Sequence, residues 1–382
     1  MCRAGRPYQR VGSVACMPEV TDPDDPVKAS SPTQLRGQTW RYLLRRTVRE
    51  FLRDECVDTA GALTFFGVLA VFPAGLAIMA LVGIVADRGD VRDRILTLLS
   101  EVAPTAVIEV AESVLVDVTE SATADFTLIV AVVVALWSAS AYVSAFGRAV
   151  NRIYGTEEGR PYWKRKPLQL ALTVLLLVLV IIAAILVVIS GPLLRTLGGT
   201  FGLGDVAIAV WNVVRWPILA AAVVVLVAVL YKGTGNLKLP RFRWLSLGAL
   251  VAIVVMGIAS LGFGFYVSNF ATYNQTFGAF AGVIIFLIWL FLINAALLLG
   301  VEFNAEIERG RQLQAGIPAE RQLHLPSRDT RQIERSREAD RITEERGAML
   351  RDGKELPSAR PDSPIAQAKA WFSSAWDHLR GR

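Results

Sequence analysis

Histidine is almost missing from this 382-residue chain, and the two present, His324 and His378, stand near its C-terminal end. That scarcity removes the usual general base of a hydrolase and the commonest nitrogen ligand of a catalytic zinc. Cysteine is scarce too: Cys2, Cys16 and Cys56 all precede the first long apolar block. They offer neither an extracellular disulfide framework nor a thiolate cluster, and so read as reduced thiols. No phosphate-binding loop and no Gly-x-Ser-x-Gly nucleophile elbow occurs, and the glycines between Gly198 and Gly204 follow no strand, so they are no dinucleotide fingerprint. No acidic motif specifies a magnesium site either, so the chain is read as non-enzymatic, with no catalytic residues, no metal and no cofactor. The most telling absence is of charge: between Arg243 and Glu302 there is not one Asp, Glu, Lys or Arg. That run is long enough to cross a bilayer, turn and cross back.

What is present fits the same conclusion. Hydrophobic residues make up 53% of the chain and are concentrated in long blocks that only lipid can accommodate. Six apolar segments qualify as spans, at about residues 61–86, 126–147, 167–191, 207–231, 244–266 and 280–301. The fold class is therefore all-α, a polytopic membrane bundle of six transmembrane helices. Its orientation follows from basic residues. With the N-terminus inside, the cytoplasmic segments carry Arg36, Arg41, Arg45, Arg46, Arg49 and Arg53, then Arg148, Arg152, Arg160 and Lys164–Lys166, then Lys232, Lys238, Arg241 and Arg243; the outer loops carry only Arg88, Arg92, Arg94 and Arg195. Both termini are thus placed in the cytoplasm, and the net charge of +6 is explained by this asymmetry without a nucleic-acid partner.

Outside the spans, residues 1–35 are rich in Pro, Asp and Ser and read as a disordered tail. Residues 36–57 form a basic amphipathic cytoplasmic helix, with Trp40, Leu43, Leu44, Val48, Phe51 and Leu52 as one apolar stripe and anionic lipid as its simplest partner. Residues 87–125 read as two amphipathic outer helices broken near Pro104. Residues 309–382 are a charged cytoplasmic tail, largely disordered or at most a solvated helix over 321–352, ending in an amphipathic helix at about 364–380. The start lacks the basic, apolar and cleavage regions of a signal peptide, so removal of the N-terminus is not expected.

Several blocks together resemble the BrkB, or YihY, family of bacterial inner-membrane proteins. Residues 58–73 read DTAGALTFFGVLAVFP; Asn151–Tyr154 is followed by Glu157, Glu158, Arg160, Trp163 and Lys164; Arg215–Pro217 lies in the fourth span; and YVSNFATYNQTFG precedes a span ending in LLLGVEFNAEIERG. The resemblance covers about residues 40–318. It departs from the family pattern at Gly235, where a proline is common, and at Gln275, where a basic residue is common. It implies a six-helix protein of the bacterial plasma (inner) membrane, a virulence label for some members and an older ribonuclease label that the scarcity of histidine and cysteine does not support.

Candidate sites follow from polar groups in or beside lipid. Arg215 is an intramembrane charge beside Pro217, read either as an anion or headgroup contact or as a snorkelling side chain. Asp58, Asn151, Arg152, Glu302, Asn304 and Glu306 gather at the cytoplasmic mouth, as a polar gate or as structural ion pairs, with Glu302 and Glu306 on one helical face. Tyr266, Asn269, Tyr273 and Asn274 mark the outer turn. Small residues, among them Ser138, Ser140, Ser144, Gly257, Gly262, Gly264 and Gly282, suggest close helix packing. The functional expectation is transport of a small molecule or lipid, with the bilayer as partner and a homo-oligomer open; a non-transporting envelope scaffold is the alternative.

Overall fold

A computed structural model describes residues 22–85, 124–188, 205–239, 242–269 and 279–355. Residues 87–123 of the expected outer helices, Tyr273, Asn274 and the amphipathic helix at 364–380 lie outside these residues. The described chain is helical, with one isolated backbone bridge, Leu237 to Ser327. It forms two compact units, residues 1–330 and 331–382. The second contains α8 (Arg331–Arg351), a largely exposed helix in which Arg341 pairs with Glu338 at 2.7 Å and Glu345 at 3.2 Å.

The first unit contains α1 (Gly37–Arg53), α2 (Cys56–Val85), α3 (Ala124–Ile153), α4 (Tyr162–Val188), α5 (Asp205–Thr234), α6 (Phe242–Asn269) and α7 (Ala279–Gln314). Among the described residues four stretches, Tyr162–Ala183, Ala209–Thr234, Leu247–Val267 and Gly282–Gln314, are long and apolar enough to cross a membrane, and Cys56–Ala70 is a shorter apolar stretch. Each of α2 to α7 packs on its neighbours in sequence, and α7 closes back onto α2; α3 additionally touches α5 and α7. The start of α2, the ends of α3 and α5, the start of α6 and the end of α7 share one buried cluster built around Leu63, Phe146, Tyr231, Ala252 and Leu298. Successive helices therefore alternate in direction. Away from that end the helices turn apolar side chains outward, among them Val178, Ile181, Val213, Ile258, Leu261 and Phe265, the last two 78% and 72% exposed. Water does not tolerate an apolar surface of that extent; hydrocarbon does.

Where α6 crosses α7 the backbones touch. A methyl group on Gly300 would stand 2.5 Å from the Gly248 carbonyl oxygen and 2.4 Å from the Tyr231 hydroxyl, so only glycine allows the approach. The small residues singled out in the sequence are not the ones that do this: Gly257, Gly262, Gly264 and Gly282 face open space. Nor does Pro217 break its helix, since α5 continues through it. Ser140 and Ser144 do lie at a helix contact, where they hydrogen-bond to Lys166 and Gln169 of α4.

The expected disorder of residues 1–35 gives way, from Asp22 onward, to a segment held against α7. Lys28 is buried on Glu308 at 3.1 Å, and Arg311 Nε donates to the Ala29 carbonyl at 3.0 Å. Residues 315–330 are likewise packed. Leu323 and Leu325 enter the core, and the His324 backbone N–H donates to Gln312 at 3.1 Å. In both cases buried charges and carbonyls on α7 supply partners that local composition does not reveal.

Candidate functional site

α7 continues past the end of its uncharged run as an unbroken helix, so Glu302, Asn304 and Glu306 are fixed by the same backbone that crosses the apolar layer. Glu302 and Glu306 stand one turn apart and are each 1% exposed. Glu306 Oε1 accepts a hydrogen bond from Arg309 Nε at 2.8 Å. Its Oε2 lies 3.1 Å from Arg46 Nε of α1, a distance that makes an ion pair, but the N–H is not directed at it, so neither atom gains a hydrogen bond. Glu302 Oε2 is buried with no hydrogen-bond partner. Around this pair α1 contributes Glu50, within 3.6 Å of Arg46, 3.2 Å of Arg49 and 3.4 Å of Arg53. Asp54 follows at the end of α1. Burial, and then the charge of Glu50, raise its carboxyl above the ordinary range despite Arg53, Arg152 and Arg309.

The other expected mouth residues belong elsewhere. Asn151 is buried in a second cluster: its Oδ1 accepts from the Asn236 backbone N–H at 2.8 Å and its Nδ2 donates to Glu158 at 3.3 Å. Asn236 in turn donates to the carbonyls of Glu157 at 3.2 Å and Asp329 at 2.9 Å, and accepts from the Asp329 N–H at 3.2 Å. Arg160 grips both oxygens of Glu158 at 2.8 Å and donates to the Thr234 carbonyl at 2.8 Å. Burial pushes the Glu158 carboxyl up, but the hydrogen bonds and charge of Arg160 outweigh it and leave Glu158 below the ordinary range. Lys164 in the first turn of α4, 3.6 Å from Asp329, completes this clasp between the α3–α4 connection, the α5–α6 connection and residues 326–330.

Arg152 turns outward to pair with Glu55 rather than with Glu302 or Glu306. Asp58 is exposed in the first turn of α2, where a negative charge suits the positive helix end. Asn304 is bonded to the Gly248 N–H at 3.0 Å, fixing α7 to α6. Arg215 is half-buried, its guanidinium 5.2 Å above the Trp216 ring and its Nε without a hydrogen bond, and it does not join the carboxylates of α7. Tyr266 is exposed within α6, and Asn269 is the last residue of that helix.

Two polar contacts inside the apolar layer were not anticipated. Tyr142 donates to Asn294 at 2.8 Å, and Asn294 donates to Thr64 at 3.2 Å, linking α3, α7 and α2. Between α3 and α4, Lys166 donates to Ser140 at 2.6 Å and sits 4.0 Å over Trp137. Asn294, an amide in an otherwise apolar stretch, was the sequence signal for the first. Lys166 looked like one more positive-inside charge.

Fold and surface together define a helical membrane protein. The chain belongs to the family described as virulence factor BrkB, whose model matches residues 47–323. It is 27% identical over 270 residues to the ribonuclease-like protein YfkH of Bacillus subtilis, covering 71% of this chain and 96% of that one. It is 31% identical over 291 residues to a UPF0761 membrane protein of Alkalilimnicola ehrlichii, covering 71% of this chain and 60% of the relative. A UPF0761 membrane protein of Tolumonas auensis is 38% identical over 81 residues, 21% of this chain and 26% of its own length. No solved structure matches.

Proposed function

We propose that this protein crosses the inner membrane of a bacterium six times, with both termini in the cytoplasm, and moves a small molecule or lipid through the bilayer. The observation that carries the reading is Glu302: a carboxylate inside α7 where its uncharged run ends, shielded from water, with one oxygen lacking any hydrogen-bond partner. Ionisable groups in or against the apolar layer are costly and are retained where a charge, proton or polar group must bind and leave. Glu306 and Arg46 beside it form the rest of a polar gate. Arg215 is a separate headgroup or anion contact, and the bilayer is the working partner, with no nucleic acid or cofactor involved.

A second reading, a non-transporting scaffold, is supported by Asn151, Arg152 and Asn304, all of which are engaged in bonds that tie helices and connections together. Proteoliposomes separate the two. Flux or lipid scrambling by the wild type that is mostly lost in Glu302→Gln supports the gate. Unchanged flux in Glu302→Gln and Arg215→Ala removes both residues from the mechanism, and no flux over a broad panel of ions, small solutes and lipids favours the scaffold. The ribonuclease-like name of the Bacillus relative is not carried over, a choice that RNA cleavage by the purified chain would overturn.

A further inference from the structure

The helix α1 has three faces. Leu43, Thr47 and Glu50 are buried, and Leu43 packs with Trp40 against Phe303 and Ile307 of α7. Leu44, Val48 and Leu52, four residues apart in turn, are 55%, 60% and 64% exposed. The single apolar stripe read from the sequence is therefore two, one facing protein and one facing out. Beside the outward stripe runs a groove of about 390 Å³ lined by Gln38, Arg41, Tyr42, Arg45, Arg46 and Arg49. Glu50 and Glu306 engage Arg46, and Glu50 also touches Arg49, but Arg41 and Arg45 have no acidic partner among the described residues.

We infer that this groove binds the phosphate headgroups of anionic lipids, with Leu44, Val48 and Leu52 entering the adjoining acyl region. A basic stripe alone would suit any polyanion, including RNA. The exposed apolar stripe next to it would be unfavourable in water and suits only a surface whose charge and hydrocarbon lie side by side. Position agrees for the C-terminal half of α1, which is joined to the membrane helix α2 through Asp54 and Glu55 alone, so that Val48, Arg49 and Leu52 stand nearest the bilayer while the helix runs back along the end of α7, Arg46 at Glu306 and Leu43 at Gly310. The inference depends on the membrane setting and not on transport, so it survives a failure of the gate.

The test uses the full chain in nanodiscs of phosphatidylcholine alone or mixed with phosphatidylglycerol, with hydrogen exchange read over residues 37–53. Each arginine near an anionic surface strengthens binding roughly five-fold, so phosphatidylglycerol is expected to slow exchange clearly over α1. A combined Arg41→Gln, Arg45→Gln, Arg49→Gln variant abolishes that difference, whereas Arg335→Gln with Arg337→Gln on α8 leaves it. Native mass spectrometry of the wild type should retain phosphatidylglycerol over phosphatidylcholine. Equal exchange and retention in the two lipids overturns the proposal without recourse to any variant. So does a lipid effect that persists in the triple variant, or one that inorganic phosphate or an RNA oligonucleotide erases.

Discussion

Lys28 and Glu308, 280 residues apart in the chain, meet with Nζ 3.1 Å from Oε1 and both side chains almost fully enclosed. Arg311 approaches the other oxygen of the same carboxylate at 2.5 Å, so one acidic group holds two cations out of water. Burying these three charges depends on the shared carboxylate, because its removal takes the counter-charge from two enclosed cations at once.

Glu308→Ala is therefore expected to destabilise the protein by about 3–5 kcal/mol, since it removes the carboxylate that two buried cations share. Lys28→Ala should cost less, because Arg311 still pairs with Glu308. Thermal unfolding of the detergent-solubilised chain checks the order of the two.

Asn236 makes three side-chain bonds that no other residue type reproduces. Asn236→Ala leaves buried carbonyl and amide groups unpaired, at a cost of roughly 1–3 kcal/mol for each group not rescued by water. Hydrogen exchange over residues 323–330 should accelerate, while α2 and α7 keep their protection.

Gly300→Ala forces a methyl group into the Gly248 carbonyl and the Tyr231 hydroxyl. Overpacking of this kind costs about 1–3 kcal/mol or more where backbone must move. Gly257→Ala meets nothing within 4 Å and should be neutral or mildly stabilising. Side-by-side melting curves distinguish them.

Two carboxyls give opposite pH signatures. Glu158 has a lowered native pKa, so its contribution to stability is present above its unfolded value and fades as pH falls through the native one. Glu158→Gln should melt below wild type at neutral pH, with the gap closing in acid. Asp54 has a raised native pKa, so its ionisation opposes folding above that value, and the penalty disappears as pH falls to its ordinary unfolded range. Asp54→Asn should melt above wild type at neutral pH and converge with it in acid.

The apolar layer was legible because a membrane helix declares itself in about 20 consecutive residues. The described parts of the six expected segments fall on α2 to α7, and four of these helices contain a stretch long and apolar enough to span. The polar mouth was legible only as an inventory. Spacing of four put Glu302 and Glu306 on one face, but what faces them comes from α1. Asn151 was noticed, while its partner Asn236 lies 85 residues on and that residue's own partner, Asp329, 93 further. Lys28 was lost inside a segment whose composition resembles a disordered tail, because its reason for order stands at the far end of the chain.

The buried cluster around Phe146 and Tyr231 lies at one end of the helices, while Val178, Ile181, Val213, Ile258 and Leu261 elsewhere along them face outward. The protein is thus stiff where its own side chains clamp it and depends on acyl chains for lateral support beyond. Bilayer thickness becomes a mechanical variable: a thinner or thicker membrane tilts the lipid-supported stretches of the helices about a fixed base, much as tines bend from a handle.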